Sequence, residues 1–517
     1  MSQLKMVTDT VEKNPDDVSE TSISYDVMIP LWDKINTVTA GTSAMRVAAQ
    51  LYLPQHKGED DDNYAERLST SVLFPKTEKT LEELAAKPFS DDMKIKDGTP
   101  DEIRGFMEND IDLLGNKAAI FYQSWFRDGI KKGFSHVLID IAQPQTEEGV
   151  ERTREDDRVE GRRPYMVHVL PEQVIFMASS VIGGVERLTD LRIREEVKVI
   201  NGYAESIVHQ IRAHSIGEVV VYQREEEKQD HDEDAWREIE RYETGLDVIP
   251  FVTFYVDRLG LQLAKPPLED LGDLNVAHWQ SSSDQQNILK VARFPILSIS
   301  GERVRVQRGP DGKAVAAKSV IGPRQVMRFE DPQAKMGYVE HTGKAIAAGR
   351  TELLDLEEQM GMYGSQFTRR QSGNQTATQR TIDSAEAVST LQAWAMAFED
   401  AAEEAQRMML QYLPDAGDVP GRIKLNHKAT VNDTSDSELT ALDRGRTRKD
   451  ISREAWAAEM LRRGVLSEDY DVEADKELID AEPALFNLDP GGEDDDGEDD
   501  DKNKDDRRAD PDNKPKL

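Results

Sequence analysis

Two apolar seams, one on each side of a segment without a carboxylate, constrain this chain more than any other feature. Before the segment, Ile346, Gly349, Leu353, Leu356, Met360 and Tyr363 recur at alternating spacings of three and four. After it the spacing returns at Val388, Leu391, Ala395, Phe398, Ala402, Ala405, Met409 and Tyr412, a run of more than three heptads. Residues so spaced share one face of an α-helix, so each stretch reads as a helix that buries a stripe. A helix over Thr381–Leu413 would be about 50 Å long at 1.5 Å per residue. The stripe leaves two options open: a partner helix in a coiled-coil dimer, or neighbouring elements within a larger assembly.

Between the seams lies SQFTRRQSGNQTATQRT, Ser365 to Thr381. Between Glu358 and Asp383 the chain has no Asp or Glu, yet it carries Arg369, Arg370 and Arg380 among the amides Gln366, Gln371, Asn374 and Gln375. This matters because the whole chain is strongly acidic: 65 basic against 100 acidic residues in 517, a formal charge of −35. Such a balance argues against coating nucleic acid through a broad basic surface, so any contact with nucleic acid must be local. A second basic island runs from Val291 to Arg328, where Arg293, Arg303, Arg305, Arg308, Lys313, Lys318, Arg324 and Arg328 face only Glu302 and Asp311. If SISGERVRVQR is a strand, Arg303, Arg305 and Gln307 share a face. That face can contact phosphate, independently of base sequence, or pair with carboxylates of a neighbouring subunit.

The remaining texture indicates an α+β chain, mainly helical. Length suggests three or four domains. Residues 1–23 are polar and expected to be mobile. From Ser24 to about Phe126 the pattern is helical, with LWDKINTVTAGTSAMRVAAQLYLP stopping at Pro54, TEKTLEELAAKPFS stopping near Pro88, and a charged loop, HKGEDDDNYAERLS, between them. FRDGIKKGFSHVLIDI passes from helix through Gly133 into a buried strand, and further β signals follow at YMVHVL, EQVIFM, LRIREEVKVI, GEVVVYQRE and IPFVTFYV. EEEKQDHDEDAW, Glu225 to Trp236, suits a solvated hairpin tip. Leu268 to Arg293 looks helical in two pieces, with a restart at Ser281 to Asp284, and a short β module follows from Ile296 to about Val339. ISREAWAAEMLRRGVL suggests a capped amphipathic helix after Asp450. The final stretch, GGEDDDGEDDDKNKDDRRADPDNKPKL, has too few apolar residues to offset the entropy of ordering and is expected to be disordered.

Catalytic signatures are missing. GPDGKAV at Gly309 has the wrong spacing for a P-loop, GMYGSQ at Gly361 is no nucleophile elbow, and the acidic tail does not match an EF-hand loop. No Cys occurs, which removes disulfides, thiolate nucleophiles and Cys-based zinc sites, and suits a reducing compartment. The nine histidines are scattered, with His209 and His214 five apart, so no metal or cofactor is expected. Acidic pairs such as Asp91/Asp92 keep a metal-dependent nuclease open as an alternative. The N-terminus lacks an apolar h-region and no stretch approaches membrane-spanning length, so the chain reads as soluble, unprocessed and not membrane-bound.

The order of parts resembles the portal proteins of tailed bacteriophages. The likeness lies in an α+β first half, the helix SSDQQNIL with Ser282 or Ser283 before Asn287, a small β module, an ascending helix, a polar loop and a long helix. YLP at Tyr52, VLFPKTEKTLEELAAKPFS at Val72, HVLIDI at His136, RRPYMVHVLPEQVI at Arg162 and LTDLRIRE at Leu188 are similar to a portal family catalogued as a domain of unknown function. The resemblance covers roughly residues 25–480. It implies a wing over 24–265, a descending stem helix region over 266–293, a clip over 294–341 and an ascending stem helix over 342–363. It further implies a tunnel loop over 364–380, a spine helix over 381–413, a crown over 414–485 and an acidic tail over 486–517. On this resemblance the chain is a non-enzymatic virion protein assembled in the host cytoplasm, a homo-oligomeric ring of twelve copies around sequence-independent double-stranded DNA. The expected partners are the major capsid and scaffolding proteins, the terminase large subunit and a head-to-tail adaptor. Gln366, Arg369, Arg370, Gln371, Asn374, Gln375 and Arg380 would face the DNA, and Arg303, Arg305, Arg308, Lys313, Lys318, Arg324 and Arg328 would face DNA or adaptor at the clip. A coiled-coil scaffold or adaptor without a channel is the alternative of another class.

Overall fold

The computed structural model describes residues 13–142, 159–225, 235–293, 296–300, 306–308, 314–316, 335–339, 344–368, 389–413, 416–417, 419–427, 436–462, 465–466, 470 and 472–475. The chain forms two compact units, Met1–Asp433 and Thr434–Leu517.

The first unit opens with helices: α1 (Ile23–Thr39), α2 (Thr42–Ala48), α3 (Asp61–Thr70), α4 (Lys76–Ala86), a short strand β1 (Lys94–Ile95), α5 (Asp101–Asn109) and α6 (Ala118–Lys132). Ser22 starts α1, its side chain accepting from the Tyr25 N–H, and Asp60 does the same for α3 through the Asn63 N–H. The single helix expected up to Pro54 is divided, because Gly41 sits at φ 84° between α1 and α2, a conformation that a helix cannot continue. Gly133, at φ 92°, closes α6 and turns the chain into β2.

Strands follow in chain order: β2 (Phe134–Ile141), β3 (Pro164–Val169), β4 (Val174–Ile182), β5 (Val185–Asn201), β6 (Ala204–Ser215), β7 (Glu218–Arg224), β8 (Trp236–Glu243), β9 (Phe251–Tyr255), β10 (Arg258–Gly260) and β11 (Leu263–Ala264). One antiparallel sheet has the order β3-β2-β9, and a second is an antiparallel meander, β4-β5-β6-β7-β8. The segment expected as a hairpin tip joins β7 to its neighbour β8, and residues 226–234 of it lie outside the described residues. Then come α7 (Glu269–Arg293), β12 (Ile296–Ser300), β13 (Val306–Arg308), β14 (Ala314–Ala316), β15 (Lys335–Val339), α8 (Lys344–Gln366), α9 (Thr390–Leu410) and β16 (Ile423–Lys424), which pairs with β1.

The main core lies where α6 and α9 cover the three-stranded sheet. Phe398 of α9 is fully buried among Trp125 (centroid distance 4.9 Å), Phe254 (5.1 Å), Phe126 (5.3 Å) and Tyr122 (5.8 Å). Leu391, Ala395, Ala402, Ala405 and Met409, the other described seam positions within α9, are buried in the same cluster. The heptad stripe is therefore consumed inside its own chain. Close approach at the other contact depends on Gly129 of α6, where an added Cβ would stand 2.5 Å from the Phe254 ring.

The second unit contains α10 (Asp436–Thr447) and α11 (Arg453–Arg462). The helix expected after Asp450 is α11, capped by Ser452, whose Oγ accepts from the Ala455 N–H at 3.0 Å, and it buries Ala457 and Met460. Helices and antiparallel sheets together make the chain α+β.

Candidate functional site

The two helices that bracket the basic β module are held firmly. α7 is one unbroken helix rather than two pieces, because Ser283 in its middle serves as a small packing residue instead of a cap. Ser283 is 2 % exposed and its Oγ meets the Ser71 Oγ at 2.8 Å. Arg67, also buried, clamps Glu59 with two hydrogen bonds of 2.8 Å each and donates to the Pro54 carbonyl at 2.8 Å. The Arg67 guanidinium holds the Glu59 carboxyl down to about 2. Asn275 of α7 accepts from the Thr77 N–H at 3.1 Å and donates to the Phe74 carbonyl at 2.8 Å, so a side chain of one helix satisfies an orphan amide at the start of α4.

α8 runs antiparallel to α7. Gln285 donates to the Ile346 carbonyl at 2.9 Å, His278 Nε2 stands 3.4 Å from Glu357, and the Tyr363 hydroxyl donates to Asp270 at 3.0 Å. Burial, and then the bond to Asp270, push the Tyr363 hydroxyl up to about 12. Asp270 stays below its ordinary range although burial opposes this, because Lys265 and Tyr363 hydrogen-bond to it. The side of α8 turned from α7 is exposed and acidic, with Glu352, Asp355 and Glu358 against Arg350. In sequence the pair is bridged by the β module, where β12 pairs with β15 and β13 with β14, both antiparallel.

The last turns of α8 already belong to the carboxylate-free segment, and beyond them the chain on the two sides of residues 369–388 is pinned together. The Leu391 N–H donates to the Phe367 carbonyl at 3.0 Å. Phe367, Thr368, Ser389 and Trp394 are all buried, and the Phe367 ring lies 5.7 Å from Tyr363 and 5.4 Å from Trp394. Segment 369–388 thus leaves and returns at one buried point. The helix expected from Thr381 starts, in the described chain, at Thr390, because Ser389 is extended (φ −71°, ψ 156°) and caps it through the Gln392 N–H. Ser389-x-x-Gln392 is a capping-box spacing, the one sequence signal that could have placed this boundary. The four anchors themselves carry no functional signature.

Of the residues expected to face DNA, Gln366 is exposed at the last position of α8. Arg369, Arg370, Gln371, Asn374, Gln375 and Arg380 lie outside the described residues. On the β module, Arg308 is the last residue of β13, opposite Ala314, while Arg303, Arg305, Lys313, Lys318, Arg324 and Arg328 also lie outside. His209 and His214 sit on opposite faces of β6, an odd spacing that prevents a shared metal. Asp91 and Asp92 are exposed, with Asp91 bonded to Asn426 at 2.6 Å. Among the described residues no group of three or more His, Asp or Glu could hold a metal, and no helix is long and apolar enough to cross a membrane.

No curated protein matches the chain. Three solved structures resemble it weakly, each at 10 % identity over 85 % of this chain and 99 % of the other: the virion of a native gene transfer agent particle (TM-score 0.33), the neck of an empty particle computed with C6 symmetry (0.35), and the neck of a native particle computed with C12 symmetry (0.32). Residues 267–413, from the start of α7 through the pinned base to the end of α9, match a family described as Domain of unknown function (DUF4055).

Proposed function

We propose that this chain is the subunit of a ring-shaped DNA channel, the portal at one capsid vertex of a tailed phage or phage-like particle. Genome would enter and leave through it, and terminase and then a head-to-tail adaptor would dock on it, with capsid and scaffolding protein outside. The ring would have twelve copies and perform no catalysis. What supports this is the pinned base: residues 369–388, whose first fourteen positions carry three arginines and no carboxylate, depart from and rejoin the described chain at one point beside a helix whose outward side is acidic. A channel that threads DNA needs walls that do not bind it, since each neutralised phosphate adds affinity through counterion release and acts as a brake. Acidic walls meet that need. Arg369, Arg370 and Arg380, repeated around a ring, would give weak contacts that follow any sequence, and the amides can bond phosphate without charge.

The wing, stem, clip, tunnel-loop, spine and crown boundaries named above are carried into this proposal. Native mass spectrometry and imaging of the full chain test it. Closed rings with a central hole are the expected result. In reconstituted particles, neutralising Arg369, Arg370 and Arg380 should lower DNA retention most at low salt. A uniform dimer without a hole would sink the proposal.

A further inference from the structure

We infer that the β5–β6 hairpin is an arm that clasps the next copy of this chain, seating its tip in a pit between α6 and β3. This rests on the ring proposed above, though its test separates the two. β4 accompanies β5 only as far as Ile193, paired with Val174, and β7 accompanies β6 only from Gln210, paired with Gln223. Residues 194–209 therefore stand out as a two-stranded ribbon with no further strand on either edge among the described residues, about 25 Å long at ~3.3 Å per residue.

The two faces of the ribbon differ. Opposed pairs share a face, so Val197/Val208, Val199/Ser206 and Asn201/Ala204 form one side with no ionisable group beyond Glu195. The other side carries Glu196/His209, Lys198/Ile207 and Ile200/Glu205, with Lys198 and Glu205 paired at 2.9 Å. At the tip, Ile200 is 77 % exposed and Tyr203 fully so. A lone hairpin is marginally stable in water, and a ribbon with open edges and one face poor in charge invites pairing with another chain.

The pit is the matching feature. It has a volume of about 400 Å³ and is lined by Leu114, Ile120, Phe121, Met166 and Val167, with Leu114 and Ile120 largely exposed. Asp112 is its one carboxylate, and burial pushes the His168 imidazole down, toward the neutral form. Two copies that each carry −35 repel one another except where charge is complementary or sparse; the ribbon face and the pit are places of sparse charge. One ribbon face of about 25 Å by 10 Å covers roughly 250 Å², well under the ~800 Å² per partner of a free-standing complex. The arm is too small to recruit an independent protein, and suits a clasp between copies that larger contacts already hold. Donor and acceptor are different surfaces, as a head-to-tail ring requires.

The absence of cysteine gives a direct test. Tyr203→Cys and Ile120→Cys are made separately in the full chain, mixed and mildly oxidised. Disulfide-linked dimers holding one of each are expected, lost when either cysteine is omitted, and the double variant should give a ladder of multimers. Dimers of Tyr203→Cys with itself, an internally bridged monomer of the double variant, or no bridge at all would overturn the clasp. Rings without bridges remove the arm and leave the channel; bridges without rings remove the channel and leave the arm.

Discussion

Replacing Phe398 by Ala separates a helix that completes its own core from one that zips to a partner. Phe398 is fully buried and touches five aromatic rings at centroid distances from 4.9 to 6.2 Å. Truncating a buried Phe costs about 3–5 kcal/mol, and edge-to-face pairs add to the area term, so the upper end, ~5 kcal/mol, applies here. With a urea slope of about 3 kcal/mol/M, the midpoint should fall by roughly 1.7 M. Tryptophan fluorescence is a suitable probe, since Trp125 is the nearest ring. Met396, on the exposed side of α9, serves as control, and its Ala variant should stay within ~0.5 kcal/mol of wild type. If Phe398→Ala keeps the urea midpoint and instead dissociates a dimer by native mass, the seam belongs to a coiled coil and the core assignment fails.

Other perturbations probe separate joints. Gly129→Ala would place a Cβ 2.5 Å from the Phe254 ring and should cost about 1–3 kcal/mol, read as a lower melting temperature; an unchanged melt would mean that α6 does not approach β9 as described. Arg67→Ala leaves Glu59 without its fork and should cost about 3 kcal/mol, with Arg67→Lys recovering only part, since an ammonium cannot make both bonds. Glu59 is held at about 2, below its ordinary 4.5, so the stability it contributes is present above pH 4.5 and lost as pH falls toward 2. Melting temperature against pH should therefore drop more steeply in wild type than in Arg67→Ala over that window, and parallel curves would rule out the linkage. Trp394→Ala removes one wall of the pinned base, so it should lower the melting temperature by an amount equivalent to about 3 kcal/mol and, at a temperature where the variant is still folded, accelerate tryptic cleavage at Arg369, Arg370 or Arg380; an unaltered cleavage rate would show that the ring contact does not hold the two ends of segment 369–388.

Elements whose pattern is local could be read from the sequence. The step from α6 through Gly133 into β2, and the strands β3, β4, β5, β7 and β9, follow from β-branched runs and glycine. β6 has no such local signal, because its apolar residues are interrupted by Glu205, His209, Gln210 and Arg212 and its place is set by register with β5. The middle of α7 misleads for a related reason. A run of serines has the chemistry of a cap, and whether it caps or packs depends on Arg67 and Ser71, more than two hundred residues away in sequence. The pinned base is hidden similarly: Phe367 and Trp394 look like any buried aromatics until the chain brings them within 5.4 Å.

The heptad seam shows why spacing alone could not choose a partner. A 3-4 spacing states that one face of a helix is dry and says nothing of whose surface dries it. Side-chain size carries the missing information. Ala395, Ala402 and Ala405 alternate with Phe398 and Met409 along the seam, so small positions flank one large ring. Two such helices facing each other would leave the alanine layers underfilled. Against a sheet and α6, the same alternation fits: the alanines let the helix approach, and Phe398 fills the space bounded by Trp125, Phe126 and Phe254. The volume pattern of the seam, and not its period, is what assigns it to the core of its own chain.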